Sequence, residues 1–388
     1  MTNVPVNPKV LIWARKERGL TPTQAADRLR IPAAKLEELE LGKRNPTVSE
    51  LRNMAAKYEI GFSALVMPEP LPPSTRLNVQ DFRTHASASE KWNPELLMEM
   101  DDINVIIDAM ADLRDAEPDL LKAEFPVITA DLNAALVAAN ERERIRLDVH
   151  RQATWRTDAE AFRRFRAMVE AQGVFVYLIN ASTTDDWRGL AIYDERRIPI
   201  IVLNGDEAEP GARSFSLFHE YAHILLRQSA ISDNRSKTGN EIFCNKFAAH
   251  FLMPEKEFRG SATAVGGGYR DYWTDTQLRK IGAVFKTSMS AVAVHLENLD
   301  LAPDGFYNTK WGEWRVRQKA PKKKGPVPYY EKIANRLGSQ YIAVIFEALD
   351  RGHINQLDAY EMLDVQASNF PKLRFEVTER QALYGWSR

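Results

Sequence analysis

The chain has 388 residues, of which 44% are hydrophobic and 27% charged, which is typical of a soluble globular protein with two or three domains. The formal net charge of -1 excludes polyanion binding by bulk charge, so any nucleic-acid contact must come from a local patch. A single cysteine, Cys244, excludes an intrachain disulfide and fits a cytoplasmic protein. The N-terminus lacks a secretory apolar region, and no apolar run of about 18 residues exists, so we expect no membrane contact.

The sequence divides into five predicted segments, and the predicted fold class is α+β and mostly helical. Closely spaced helix signals occupy residues 1–67. Prolines stiffen an extended linker at 68–75. A mainly helical connecting region follows at 76–170, then a mixed core at 171–300. A helical C-terminal unit at 301–388 contains the basic linker QKAPKKKGP (318–326).

The first segment shows the start and stop signals of short helices. Thr21 is predicted as an N-cap with Pro22 at the first helical position. A turn at 31–33 precedes a helix at 34–44, and a cap and a further helix follow at 45–60. The segment resembles the lambda-repressor-like (XRE) helix-turn-helix family, which implies a five-helix domain. The residues that carry the resemblance are Gln24, Ala25, Ala26, Leu29, Ile31, Leu36, Leu39, Glu40, Gly42 and the run Lys43-Arg44-Asn45-Pro46.

A domain of this family places its second motif helix in the major groove. The resemblance therefore implies DNA contacts from Thr23, Gln24, Ala33, Ala34, Lys35, Glu37, Glu38, Lys43 and Arg44. Glu37 and Glu38 oppose this prediction because a carboxylate repels phosphate, although it can accept from cytosine N4. The alternative is a helix-turn-helix fold used for protein binding or dimerisation.

The pattern changes after Gly173. Three β-branched and aromatic runs, at 174–179, 189–193 and 199–204, predict a small sheet, and DERRI predicts a hairpin between the last two. Apolar residues at helical spacing then predict a helix at 212–228. A polar loop at 229–240 separates it from a second helix at 241–252.

The first of these helices contains HEYAH at 219–223. Histidines four residues apart project from one helix face, the geometry of two imidazole ligands on one Zn²⁺. Glu220 lies beside His219 and His223 and is placed to act as general base towards a water at the metal. A third ligand is needed, and Glu241, 18 residues beyond His223, opens the next helix. Asn245, one turn after Glu241, can orient a ligand.

An HExxH pattern also occurs by chance, as a surface helix with a histidine pair. An apolar helix carrying the motif, a preceding hairpin and an acidic start to the following helix favour a metal site. His250 is predicted to face away from the ligands, and Cys244 is predicted as a buried packing residue rather than a fourth ligand.

The segments RSFSLFHEYAHILL and EIFCNKFAAHFLMP closely resemble the ImmA/IrrE family of zinc metallopeptidases. PIIVLN and DFRT (81–84) also look like that family, and the similarity covers about residues 76–380. The resemblance implies a gluzincin-like core at 171–300, with Zn²⁺ held by His219, His223 and Glu241 and with Glu220 catalytic. Tyr221 and His250 stand where many relatives have leucine and glutamate, but neither is an expected ligand.

These features predict a DNA-associated regulatory zinc endopeptidase that cleaves a protein partner such as a transcriptional repressor. The family resemblance implies prophage, stress-response or mobile-element regulation. The alternative is a transcriptional regulator or antitoxin-type protein that senses or sequesters a partner, such as a toxin, without cleavage. Homodimerisation is left open. We expect substrate to add to PIIVLN as a strand, and Tyr269, Tyr272 and Arg227 are candidate oxyanion donors by residue type.

Overall fold

The computed structural model describes residues 3–58, 60–70, 94–121, 123–179, 188–193, 198–207, 209–228, 230–232, 239–316 and 327–384. Most of the predicted proline-rich linker, the DFRT stretch and the basic linker 318–326 lie outside the described residues. The chain forms two compact units, Met1–Ile106 and Ile107–Arg388. None of the described helices is long and apolar enough to cross a bilayer.

The first unit contains the five predicted short helices, and the five-helix prediction is confirmed. Thr21 and Gln24 form a reciprocal capping box at the start of the second helix, and Arg30 ends it in the left-handed conformation. Leu29, Leu36 and Leu51 are among the side chains that form the core of this unit. The helices are α1 (Pro8–Glu17), α2 (Pro22–Leu29), α3 (Ala33–Glu40), α4 (Val48–Tyr58) and α5 (Phe62–Leu65).

The remaining elements follow in chain order. They are α6 (Pro94–Ala116), α7 (Ala134–Arg144), α8 (Val149–Ala153), α9 (Asp158–Glu170), β1 (Phe175–Ile179), β2 (Gly189–Ile192), β3 (Ile200–Asn204), α10 (Pro210–Leu225), β4 (Ala230–Ser232), α11 (Gly239–Leu252), α12 (Glu255–Gly266), α13 (Asp275–Phe285), α14 (Met289–Asn298), α15 (Phe306–Val316), α16 (Tyr329–Leu337), α17 (Ser339–Asp350), α18 (Gln356–Leu363) and α19 (Phe370–Tyr384). The mostly helical α+β prediction is confirmed.

The sheet has the strand order β1-β3-β2-β4. β2 and β3 are antiparallel, as the predicted hairpin requires, while β1 runs parallel to β3. The prediction that β3, the PIIVLN strand, receives substrate is wrong, because both of its edges are already paired. β4 was not predicted, and it lies in the predicted polar loop and pairs with β2. A segment of three residues is too short to show the alternation of apolar and polar residues that predicts a strand.

Two of the helices position the sequence motifs. α10 packs against α9, α11 and the sheet, and every residue from Ser216 to Leu225 is buried. Phe218 of α10 stacks on Phe251 of α11 at 3.9 Å between ring centroids and meets Phe165 of α9 edge-on at 5.2 Å. Aromatic packing therefore fixes α10 against both neighbours, so that the motif face of α10 meets the first turn of α11.

The outer edge of β1 is occupied. Arg166 of α9 donates to the carbonyl oxygen of Val176, pairs with Glu170 and donates to the carbonyl oxygen of Asn335. Tyr341 of α17 meets Tyr177 of β1 edge-on at 5.4 Å. The C-terminal helices are thereby joined to the β1 side of the sheet, and β4 is the strand at the opposite edge.

Candidate metal centre

Two histidines and one carboxylate converge between α10 and α11. Nε2 of His219 lies 3.1 Å from Oε2 of Glu241, and Nε2 of His223 lies 3.1 Å from Oε1 of the same side chain. The two Nε2 atoms are 3.3 Å apart. Within the described part of the chain, this is the cluster of at least three His, Cys, Asp or Glu side chains whose geometry could hold a metal ion.

The three side chains are spaced as the ligands of a tetrahedral metal ion. Bonds of about 2.0–2.1 Å from a central Zn²⁺ place neighbouring ligand atoms about 3.3–3.4 Å apart. The two imidazole nitrogens lie 3.3 Å apart, and each lies 3.1 Å from a different oxygen of Glu241, so these separations are close to that edge length. The donor set of two imidazoles and one carboxylate leaves a fourth position for water or substrate, the arrangement of catalytic zinc sites.

Asn245 lies next to the cluster. Nδ1 of His219 donates to Oδ1 of Asn245 over 3.0 Å. This hydrogen bond fixes the ring orientation and leaves Nε2 of His219 directed at Glu241. Asn245 is one helical turn after Glu241 on α11, so a single helix supplies both a candidate ligand and the group that orients another.

Glu220 lies beneath the sheet and has no exposed surface. Its carboxylate packs against the first residue of β2, where a Cβ on Gly189 would come within 2.7 Å of Cγ and 2.8 Å of Cδ of Glu220. Only a glycine leaves this space for the carboxylate. Gly189 was predicted only as the first residue of a strand, because a glycine there carries no signal of a contact with a side chain 31 residues later.

Burial and hydrogen bonding act in opposite directions on the ionisable groups. Burial opposes the charged form of His219, but the hydrogen bond to Glu241 and the charges of Glu220 and Glu241 raise the pKa of His219. Burial likewise raises the pKa of Glu241, yet its hydrogen bonds with His219 and His223 lower that pKa to about 2. Two carboxylates and two imidazoles are thus buried together, and a divalent cation would balance their charge.

Tyr221 connects the motif helix to α7. Its hydroxyl donates to Oε1 of the buried Glu141 over 2.7 Å, and Arg144 donates to both oxygens of that carboxylate at 2.6 and 2.7 Å. Arg144 also donates to Oε1 of Gln172. This network fixes the rotation of α10 about its axis, because Tyr221 lies between the two histidines. Sequence reasoning missed Glu141, which belongs to a charged run that looks solvated.

The remaining residues considered from the sequence are two neighbours of the ligands on α11 and the three candidate oxyanion donors. The ring of His250 meets that of buried His295 edge-on at 4.9 Å, so His250 packs away from the cluster as predicted. Cys244 is buried, and burial raises the pKa of its thiol well above the usual value. The hydroxyl of Tyr272 donates a hydrogen bond to Glu313 and accepts one from Lys310. Arg227 lies over the ring of Tyr193, and Tyr269 is exposed.

The predicted DNA contacts lie on α2, α3 and the following turn. Thr23, Gln24, Ala33, Ala34, Glu37, Glu38 and Lys43 are exposed. Lys35 and Arg44 are instead bound to one carboxylate oxygen of Glu50, at 2.8 and 2.7 Å. Burial raises the pKa of Glu50, but its hydrogen bonds with Arg44, Lys35 and the Thr47 amide lower it to about 2.

Comparison with protein families agrees with both regions. The IrrE N-terminal-like domain of peptidase family M78 matches residues 169–297, which include the whole histidine and glutamate cluster. A helix-turn-helix domain matches residues 11–61. No curated protein sequence gives a significant match to the chain.

The fold and the two family matches place the chain among proteins in which a helix-turn-helix domain, a DNA-binding type of domain, precedes a metallopeptidase-like domain. In domain order and motifs, the chain has the architecture of ImmA/IrrE proteins that carry a helix-turn-helix domain.

Proposed function

We propose that the chain is a cytoplasmic, DNA-associated regulatory protein with zinc-dependent endopeptidase activity. It cleaves a protein partner such as a transcriptional repressor. The observation that carries this proposal is the convergence of His219, His223 and Glu241 within 3.1–3.3 Å beside the fully buried Glu220. A structural histidine pair on a helix surface would need neither a facing carboxylate nor a second, buried one.

In this proposal His219, His223 and Glu241 hold Zn²⁺, and Asn245 orients His219. Bound Zn²⁺ supplies Lewis acidity, which polarises a peptide carbonyl and lowers the pKa of water. Glu220 takes a proton from the attacking water as the new C–O bond forms, and then delivers that proton to the amine nitrogen as the C–N bond breaks. Because Gly189 has no Cβ, there is room for the Glu220 carboxylate against β2.

We propose that substrate main chain adds to β4. β3 is paired on both sides, and Arg166 together with the C-terminal helices occupies the β1 edge. β4 pairs with β2, and Ser232 of β4 is paired with Gly189, the residue of β2 that lies against the Glu220 carboxylate. Because α10, which carries the proposed base, contacts β4 as well as β2, a peptide extended along β4 would be bound at the sheet edge that adjoins the motif helix.

The proposed domain boundaries are 1–67 for the helix-turn-helix domain, 68–75 for the linker, 76–170 for the connecting region, 171–300 for the peptidase core and 301–388 for the C-terminal unit. The first domain would direct the protein to DNA. The second candidate function, a regulator or antitoxin-type protein that sequesters its partner without cleaving it, is favoured by the presence of this helix-turn-helix domain alongside the peptidase-like one.

The test compares wild type with Glu220→Gln, which should retain metal but lose catalysis, and with Glu255→Gln as a matched control at an exposed ion pair. Each protein is loaded with Zn²⁺, its metal content is measured, and it is mixed with the products of neighbouring genes. Cleavage by wild type and the control, but not by Glu220→Gln, supports the protease. Stable complexes without cleavage by any form support sequestration, and absence of bound metal rejects the zinc site.

A further inference from the structure

The outward face of α3 has an unusual composition for a surface that meets DNA. Its exposed residues are Ala33, Ala34, Glu37, Glu38 and, just past the last turn, Leu41. Their spacing places them on one stripe of the helix, opposite the buried Leu36 and Leu39. This stripe has two carboxylates and no cation.

The nearby cations do not compensate for these carboxylates. Lys35 and Arg44 both bind Glu50, and Arg15 binds Glu40 through two nitrogens at 2.7 and 3.0 Å. These intramolecular ion pairs offset part of the positive charge of Lys35, Arg44 and Arg15. Lys43, which follows α3, is exposed and available to a phosphate at the margin of the stripe.

The major groove discriminates between bases by donors and acceptors. Cytosine presents the N4 amino donor, guanine presents two acceptors, and thymine presents an acceptor and a methyl group. Adenine places its N6 donor next to an acceptor, N7. A carboxylate has only acceptor oxygens, so cytosine is the base edge that it can approach without repulsion. The small apolar side chains of Ala33 and Ala34 permit a close approach of the helix to thymine methyl groups.

We propose that Glu37 and Glu38 read cytosine, so that the DNA site of this protein carries cytosines where the α3 stripe enters the major groove. The inference rests on the proposed DNA binding of the first domain and adds the base identity. Where cytosine is absent, both carboxylates face phosphates and either the acceptors of guanine and thymine or the N7 acceptor beside the adenine amino group, and binding is weakened. The acidic stripe therefore lowers affinity for unrelated DNA and makes the cytosine contacts decisive.

The experiment uses the full chain and a pool of random duplex DNA at low salt. Bound duplexes are selected and sequenced for wild type, Glu37→Gln, Glu38→Gln and Glu17→Gln. Glu17 is an exposed glutamate at the end of α1, so its variant removes the same charge outside the α3 stripe. The selected site is then synthesised with 2-pyrimidinone, which lacks the N4 amino group, in place of each cytosine.

We expect wild type and Glu17→Gln to select sites with fixed cytosines and to lose about tenfold or more in affinity on substitution by 2-pyrimidinone. Glu37→Gln or Glu38→Gln should bind unrelated DNA more tightly and lose that sensitivity. Selected sites without cytosine, or equal sensitivity in all four proteins, would overturn the inference while leaving DNA binding intact. If the full chain binds no duplex, the DNA part of the proposed function fails as well, and the stripe is left to a protein partner.

Discussion

Replacing Gly189 by alanine tests the placement of the proposed base. The added Cβ would lie 2.7 Å from Cγ of Glu220, whereas ordinary contacts begin at 3.4 Å, so the side chain must move by about 0.7 Å. The strand cannot yield easily, because Gly189 is paired with Leu203 on one side and Ser232 on the other. A displacement approaching 1 Å at a catalytic group can lower the rate by about 100-fold, so we expect a loss of roughly 10- to 100-fold in kcat/KM.

The assay measures cleavage of the partner protein together with bound Zn²⁺ per chain. Gly189→Ala should retain the metal, because His219, His223 and Glu241 are not touched, and should lose rate. Gly260→Ala is the matched control, since a Cβ at that position meets nothing within 4 Å. Full activity in Gly189→Ala, with unchanged metal content, would refute the placement of the base against β2.

Three further outcomes are expected. Glu241→Ala should abolish stoichiometric binding of Zn²⁺, measured by elemental analysis after dialysis, because two imidazoles alone leave the ion undercoordinated. Tyr221→Phe should lower the free energy of unfolding by about 1–3 kcal/mol in denaturant titrations, since the carboxylate of buried Glu141 loses a donor. Glu50→Gln should speed hydrogen exchange in α3 and α4 near pH 7. The Glu50 pKa of about 2, against a usual 4.5, sets an upper limit of about 3 kcal/mol on the stabilisation that this substitution removes. Solvent screening reduces that stabilisation to about 1–2 kcal/mol.

The sign of the Glu50 effect fixes its pH dependence. A depressed carboxyl pKa stabilises the folded state above pH 4.5, and that stabilisation is lost as the pH falls towards 2. Wild type and Glu50→Gln should therefore converge in stability at acid pH, and a constant difference down to pH 2 would contradict the ion-pair explanation.

Retained zinc in Glu241→Ala would show that Glu241 is not a ligand of the site. Exposed Tyr360 supplies the control for Tyr221, since Tyr360→Phe should change stability by less than about 0.5 kcal/mol.

Local sequence spacing determined the elements and the chemistry of the site. Two histidines four residues apart, a carboxylate at the start of the following helix and a threonine–glutamine capping box are patterns that depend on residues within one or two turns. Such patterns can be recognised in the sequence because helix geometry alone fixes which side chains share a face. The helices and the antiparallel pairing of β2 with β3 follow from such local patterns.

Only the tertiary structure decided the contacts between distant segments. It placed β3 in the interior of the sheet and β4 at its edge, and it brought Gly189 against Glu220 and Glu141 against Tyr221. It also bound Lys35 and Arg44 to Glu50, which changes the charge available at the helix-turn-helix face. These pairings depend on how packed elements meet, and the free energy of burying a group depends on that environment rather than on its sequence neighbours.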